Sequence, residues 1–248
     1  MRILLVHNPS AGSSPDVRPL IRALEDAGHQ VRRIAREELT EALNESVDVV
    51  AAAGGDGTVR AVALAVAGTG VPFAMLPLGT ANNIAKSVGV VGHARDVIAG
   101  WASGRRRPFD LGSVEAPRGS TRFVESFGGG LFADLLARAE GIGSSALHLG
   151  RETDSALYLL EQLAAQAEAK AWRVSVDGID HGGRYLAVEV MNVQFIGANV
   201  PLAPHADVGD GELDVVLLGE KDREALRTYL HDRLELASGT LPAGFAPC

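Results

Sequence analysis

Cysteine is almost absent from this 248-residue chain: the single one, Cys248, is the last residue. One thiol excludes an intrachain disulfide framework and any cysteine-cluster zinc or iron–sulfur centre. Aromatic residues are scarce, at 5%. Basic residues are outnumbered by acidic ones, 23 to 31, for a formal net charge of −8. Without a basic tail, duplex binding by bulk charge is excluded and no nucleic-acid partner is expected. The opening Met-Arg-Ile-Leu-Leu-Val-His-Asn-Pro is too short an apolar run for a signal sequence. Residues 61–85 carry no charge, but Gly68, Gly70, Pro72, Pro77 and Gly79 interrupt them. They read as helix, strand and loop rather than a membrane span, and a cytoplasmic protein is expected. The excess is in glycine (29) and proline (11), the mark of many turns. The length suits one large domain or two modest ones, with a core that needs no staples.

The first hundred residues alternate strand and helix. Ile3–Val6, Gln30–Ile34, Val47–Ala53 and Val71–Leu76 read as strands. Val47–Ala53 is continuously apolar, as a strand covered on both faces should be. Asp16–Ala27 has a helical apolar period closed by Gly28, and Glu37–Leu43, Thr58–Ala67, Asn82–Val88 and His93–Ala102 are further helices. The fold class is therefore α/β, opening with a Rossmann-like parallel sheet that has helices on both faces. After Arg105-Arg106-Arg107 the pattern changes. Pro108–Glu115, Thr121–Phe127, Trp172–Val176, Tyr185–Val193 and Glu212–Leu218 read as strands. Leu131–Ala139, Thr153–Lys170 and Arg223–Leu236 read as helices. We expect an α/β domain over 1–103 and a β-rich second domain over 104–248. Residues 239–248 carry no period and read as an irregular tail or a domain cut before its last strands.

The strongest local signal is Gly54-Gly55-Asp56-Gly57-Thr58, at the junction of a buried strand and a helix. Three glycines allow close backbone approach to a bulky anion, and the helix start adds orphan N–H donors. Thr58 suits a helix cap or a phosphate contact. Asp56 repels phosphate and suits a magnesium-bound water, a ribose hydroxyl or loop N–H groups. A second loop, Pro77-Leu78-Gly79-Thr80-Ala81-Asn82-Asn83, again joins strand to helix and offers hydroxyl and amide groups. A third, Asn8-Pro9-Ser10-Ala11-Gly12, follows the first strand. Loops of adjacent parallel strands share one edge, where ligands bind; each loop alone is equally explained as capping chemistry.

These residues resemble the diacylglycerol kinase catalytic-domain family, which includes bacterial lipid kinases. The matches are Asn8-Pro9 with Gly12, Gly54 to Thr58, Pro77 to Asn82, and Ala203-Pro204-His205-Ala206 followed by Asp210-Gly211-Glu212-Leu213-Asp214. The resemblance implies transfer of the γ-phosphoryl group of ATP to a lipid hydroxyl, with Mg2+, in a cleft between two domains. It places ATP against Asn8, Pro9, Gly54, Gly55, Asp56, Gly57, Thr58, Gly79, Thr80, Asn82 and Asn83. It places a structural magnesium at Asp210, and leaves Asp56 and Asp210 as the candidate catalytic acids. It further implies work at the inner membrane surface on a lipid substrate, with a homodimer as an assembly to test. A soluble acceptor, as in NAD kinases, and a nucleotide-binding module without transfer activity are the alternatives.

The chain departs from the family pattern at several points. Asn82-Asn83 stands where Asn-Asp is usual, Glu125 where an Asn precedes the glycine run 128–130, and no Asp-Gly-Glu follows residue 214. Other residues keep two readings. Lys86 is a phosphate contact or an exposed helix lysine; His7 belongs to the loop site or to a local hydrogen bond. Asp110 is a hinge or supporting residue. Arg105–Arg107 is a solvated connector or a contact for anionic lipid heads. Leu131, Phe132, Leu135 and Leu136 form one helical face, either core or the lining of an acyl cleft. Trp101 and Trp172 read as packing.

Overall fold

A computed structural model describes residues 1–7, 16–142 and 152–235. The chain divides into two compact units, Met1–Val124 with Val208–Asp210, and Glu125–Asp207 with the residues from Gly211 onward.

In the first unit, apolar β-formers and amphipathic helices alternate as β1 (Arg2–His7), α1 (Arg18–Asp26), β2 (Gln30–Ile34), α2 (Leu39–Ala42), β3 (Val49–Gly54), α3 (Asp56–Val66), β4 (Phe73–Pro77), α4 (Asn83–Ser87) and α5 (Ala94–Gly100). The four strands form one parallel sheet in the order β2-β1-β3-β4. Val50 to Ala53 are fully buried because both faces are covered. Leu20 and Leu24 of α1 and Ile98 of α5 pack on one face with Leu5, Ala51 and Ala53. Gly28, at φ +81°, ends α1: the His29 N–H reaches back to the Leu24 carbonyl and that of Gly28 to Glu25. This satisfies two terminal carbonyls in a turn that favours glycine. A hairpin of β5 (Gly112–Ala116) and β6 (Gly119–Phe123) completes the unit.

The second unit is antiparallel. Strand β7 (Ser126–Gly130) leads into α6 (Leu131–Ile142) and α7 (Glu152–Gln166), followed by β8 (Lys170–Trp172), β9 (Ser175–Val176), β10 (Ile179–Asp180), β11 (Gly183–Met191), β12 (Asp214–Gly219) and α8 (Arg223–Glu235). Strand β11 lies between β12 and β7 and also pairs with β8. Its core gathers Leu131, Phe132 and Leu135 of α6 with Leu160, Met191, Leu218 and Leu230. The first three belong to the core; Leu136, expected on the same face, is 63% exposed.

Three expected strands differ. Thr121–Phe127 is not one strand: it breaks at Val124–Glu125, where the chain passes from the first unit to the second. Trp172–Val176 breaks into β8 and β9, and β9 forms with β10 a tight hairpin through Asp177 and Gly178, both at positive φ. Pro108–Glu115 is strand only from Gly112. Pro108 has no N–H for a ladder, and the Asp110 N–H instead bonds the Val208 carbonyl at 2.6 Å. The glycine run 128–130 is part of β7, and a Cβ at Gly129 would press on the Trp172 ring.

Candidate functional site

Strands β1 and β3 are sheet neighbours, yet the connection from β1 leads outward to β2 while β4 lies beyond β3. Their carboxyl ends therefore flank a switch point of the sheet, the place where open parallel sheets receive ligands. Gly54 to Thr58 lies there. Helix α3 begins at Asp56 with Gly55 as its cap residue, two residues before the expected start. The N–H groups of Thr58 and Val59 both turn onto the Gly55 carbonyl, at 2.9 and 3.1 Å. Helix geometry leaves the N–H groups of Asp56 and Gly57 with no carbonyl of the helix to accept them, at the positive end of the α3 dipole.

The two glycine loops are built against each other. Leu78 donates its N–H to the Gly54 carbonyl at 3.0 Å, prolonging the β3–β4 ladder. A Cβ on Gly55 would stand 3.1 Å from the Gly79 Cα, and one on Gly79 would collide with the Gly55 Cα. A Cβ on Gly54 would collide with the buried Thr58 side chain. Glycine at 54, 55 and 79 is thus explained by packing within the protein. Gly57 differs: it is exposed, and a Cβ there would meet nothing within 4 Å. Among the described residues, it alone of these four glycines has no neighbour within 4 Å of a Cβ.

Asp56 and Asn82 hold the second loop. Asp56 Oδ1 accepts the Ile84 N–H at 2.9 Å, a bond to the first turn of α4. Asn82 sits in the left-handed region, φ +52°, where asparagine is tolerated. Its Oδ1 accepts the Gly79 N–H at 3.0 Å and its Nδ2 donates to the Gly79 carbonyl at 2.6 Å. Asn82 therefore shapes the loop with both ends of its amide. Asn83 is buried at the start of α4 and its carbonyl accepts the Ser87 hydroxyl. Thr80 is exposed on the same loop, and Lys86 is half-buried on α4 rather than a fully solvated helix lysine.

His7 ends β1 beside Ala53 and is buried. Burial first, and then the Arg33 guanidinium on β2, hold its imidazole below the ordinary histidine range. Asn8 and Pro9, expected in the same site, lie outside the described residues. Asp210 is an exposed turn residue ahead of Gly211, which has φ +82°. It lies two residues past Val208, the partner of Asp110, and so belongs to the first unit. Among the described residues no three histidine, cysteine or acidic side chains gather as a metal cage, and no helix is long and apolar enough to cross a membrane.

The sequence signal did not disclose one buried acid. Glu189 of β11 is 3% exposed. It shares a strand face with Ala187 and Met191 of the core, and its carboxyl fills the space over Gly128. Burial pushes its pKa up to about 8. It is the one charged residue in Leu186–Val193, at an inward parity.

Residues 2–114 match the diacylglycerol kinase catalytic domain, and residues 138–238 match the YegS C-terminal NAD kinase beta sandwich-like domain. A protein of Pseudomonas aeruginosa (strain UCBPP-PA14) described as "Probable lipid kinase YegS-like" is 33% identical over 227 residues, covering 87% of this chain and 71% of its own length. One of the same description from Pseudomonas putida is 31% identical, covering 87% and 73%. A crystal structure of a diacylglycerol kinase from Bacillus anthracis str. Sterne superposes with a TM-score of 0.66 at 22% identity, over 94% of this chain and 78% of that one.

Proposed function

Because the chain belongs to the family of YegS-like lipid kinases with a diacylglycerol kinase catalytic domain, we propose that it transfers the γ-phosphoryl group of ATP to a lipid hydroxyl. The observation that carries this reading is the open space in front of Gly57, at the start of α3 and the carboxyl end of β3. The Asp56 and Gly57 N–H donors and the helix dipole meet at a point where, among the described residues, no atom stands within 4 Å of a Cβ on Gly57, which suits an anionic phosphate chain.

Phosphoryl transfer needs alignment and charge neutralisation more than covalent help. In this reading the Asp56 and Gly57 N–H groups bind phosphate oxygens, and Asn8, Pro9, Thr58, Thr80 and the Asn82–Asn83 turn complete the nucleotide's surroundings. Glycine at 54, 55 and 79 keeps the two loops in contact, so the donors are held in place before the nucleotide arrives. Mg2+ would neutralise charge on the transferred phosphoryl group. A magnesium held largely by phosphate oxygens takes only one or two carboxylates. Asp56 fits that role, since its bond to Ile84 uses one carboxylate oxygen and leaves the second. Asp210 is our candidate for a second cation contact and, with Asp56, for the acid that takes the acceptor's proton. The lipid acceptor implies work at a membrane surface.

The test is incubation of the full chain with labelled ATP, magnesium and a mixed lipid extract. Label in the organic phase is the expected result. Label confined to water-soluble product would move the acceptor to a soluble alcohol. Failure of the chain to bind ATP would end the reading.

A further inference from the structure

The first unit carries a second concavity, of about 1010 Å³, that shares no residue with the glycine loops. It follows the chain from Val71 into the first half of β4, Phe73 to Met75, away from Pro77 and Gly79. Among the described residues β4 is the outermost strand of its sheet, so the groove lies at a sheet edge. Ala63, Val66 and Met75, all buried, form part of its lining. Phe73 and Phe109 meet edge to face within that lining, their centroids 5.3 Å apart and their planes at 75°. The segment bearing Phe109 is held on both sides: the Asp110 N–H bonds Val208, and Gly209 packs on Pro108 so closely that a Cβ there would stand 2.7 Å from the Pro108 carbonyl oxygen. Val91, 65% exposed, leaves an apolar rim open to solvent.

The charge along the groove is opposite to that of the chain. Arg105, Arg106 and Arg107 line it, all exposed, with Asp96 the one acidic side chain among the lining residues. The chain as a whole carries −8. An apolar trough of ligand-site size beside the Arg105 and Arg106 guanidinium groups selects an amphiphile with an anionic head. Arginine's planar fork matches phosphate oxygens two at a time.

We propose that the groove along β4 binds a single-chain lipid phosphate, its acyl chain between Phe73, Phe109 and Val91 and its phosphate monoester on Arg105 and Arg106. The site is separate from the Gly54–Thr58 loop and stands whether or not that loop binds ATP.

Trp101 lines the groove and is one of only two tryptophans, the other being Trp172 in the second unit. In a Trp172→Phe background its emission reports occupancy directly. Titration of the full chain with a monoacylglycerol phosphate, below its critical micelle concentration, should give a saturable one-site response. The uncharged monoacylglycerol of the same chain length should bind at least tenfold more weakly, and glycerol phosphate alone should give no response. The double variant Arg105→Gln, Arg106→Gln changes exposed side chains only and should weaken binding at least tenfold with an unchanged melting temperature. Should it unfold instead, Val91→Asp on the exposed rim gives the same comparison. Gly57→Asp should leave the Trp101 response intact; its loss there would place the lipid at the nucleotide loop and overturn the proposal. Equal binding of the uncharged lipid would overturn it as well. So would no saturable response, and sedimentation of the same samples would then show whether the β4 edge takes a second copy of the chain.

Discussion

Asp56 and Ile84 are joined by a 2.9 Å hydrogen bond between a carboxylate oxygen and a backbone N–H, across 28 residues of sequence. The acid of the first glycine loop thereby anchors the helix that follows the second. A hydrogen bond to a charged group contributes about 1.5–3 kcal/mol, so Asp56→Ala should lower stability by about that amount in urea unfolding. Asp56→Asn keeps an oxygen acceptor for Ile84 and should cost clearly less. Both variants lose the second carboxylate oxygen and should lose magnesium-dependent phosphoryl transfer alike. Full activity in Asp56→Asn would remove Asp56 from the cation's surroundings and leave it as a loop anchor only.

Gly57 separates the phosphate role from the packing role of its neighbours. Gly57→Asp places a like charge where no atom of the described residues lies within 4 Å of the new Cβ. It should abolish ATP binding, read by calorimetry, with a melting temperature close to that of the parent chain. Gly79→Ala drives a methyl group into the Gly55 backbone and should lower stability as well as binding. If Gly57→Asp binds ATP as the parent does, the open space is not the phosphate site.

What was legible beforehand follows from how local each signal is. The β3-to-α3 junction could be read because Val49–Ala53 is uninterrupted and apolar and ends in glycine. Gly28 could be read because a helix end needs one left-handed residue, and the chain supplies glycine there. Helix α3 starts two residues ahead of the sequence expectation, since by sequence Asp56 and Gly57 look like loop residues. They become helical because β3 delivers the chain straight into the turn. The Asp56–Ile84 bond has no local signature, since its partners meet only after β4 has paired with β3. The break at Val124–Glu125 was hidden by Phe-Val-Glu-Ser-Phe, which keeps strand propensity across the boundary between units. Glu189 was readable in principle: one acid stands at inward parity in an otherwise apolar strand.

The α6 face illustrates how burial decides between core and cleft. Phe132 is 2% exposed within the second unit's core, while Leu136, one turn on, is 63% exposed. Phe132→Ala should cost about 3–5 kcal/mol through lost transfer energy and a residual cavity. Leu136→Ser should change stability by less than about 0.5 kcal/mol. Urea midpoints of the two variants check this; similar small losses for both would mean that the face is not packed as described.

Glu189 makes stability depend on pH. Burial raises its pKa from 4.5 to about 8, so the folded chain holds a proton there that the unfolded chain has already released. The stabilisation is complete below about pH 4.5, falls as pH rises, and is gone above about pH 8, with a slope of at most about 1.4 kcal/mol per pH unit. Burial keeps the acid neutral rather than paying for an unpaired charge inside the core. Glu189→Gln retains shape and polarity without a proton to lose. Urea unfolding followed through Trp172, which lies in the same unit, should therefore show the parent chain weakening from pH 5 to pH 8 more steeply than the variant. His7 works in the opposite sense, since a histidine with a lowered pKa destabilises the folded state as pH falls. Its contribution is common to both chains and cancels in the difference. Parallel profiles for the two would mean that Glu189 is ionised at neutral pH and that a cation or donor compensates it inside the sheet.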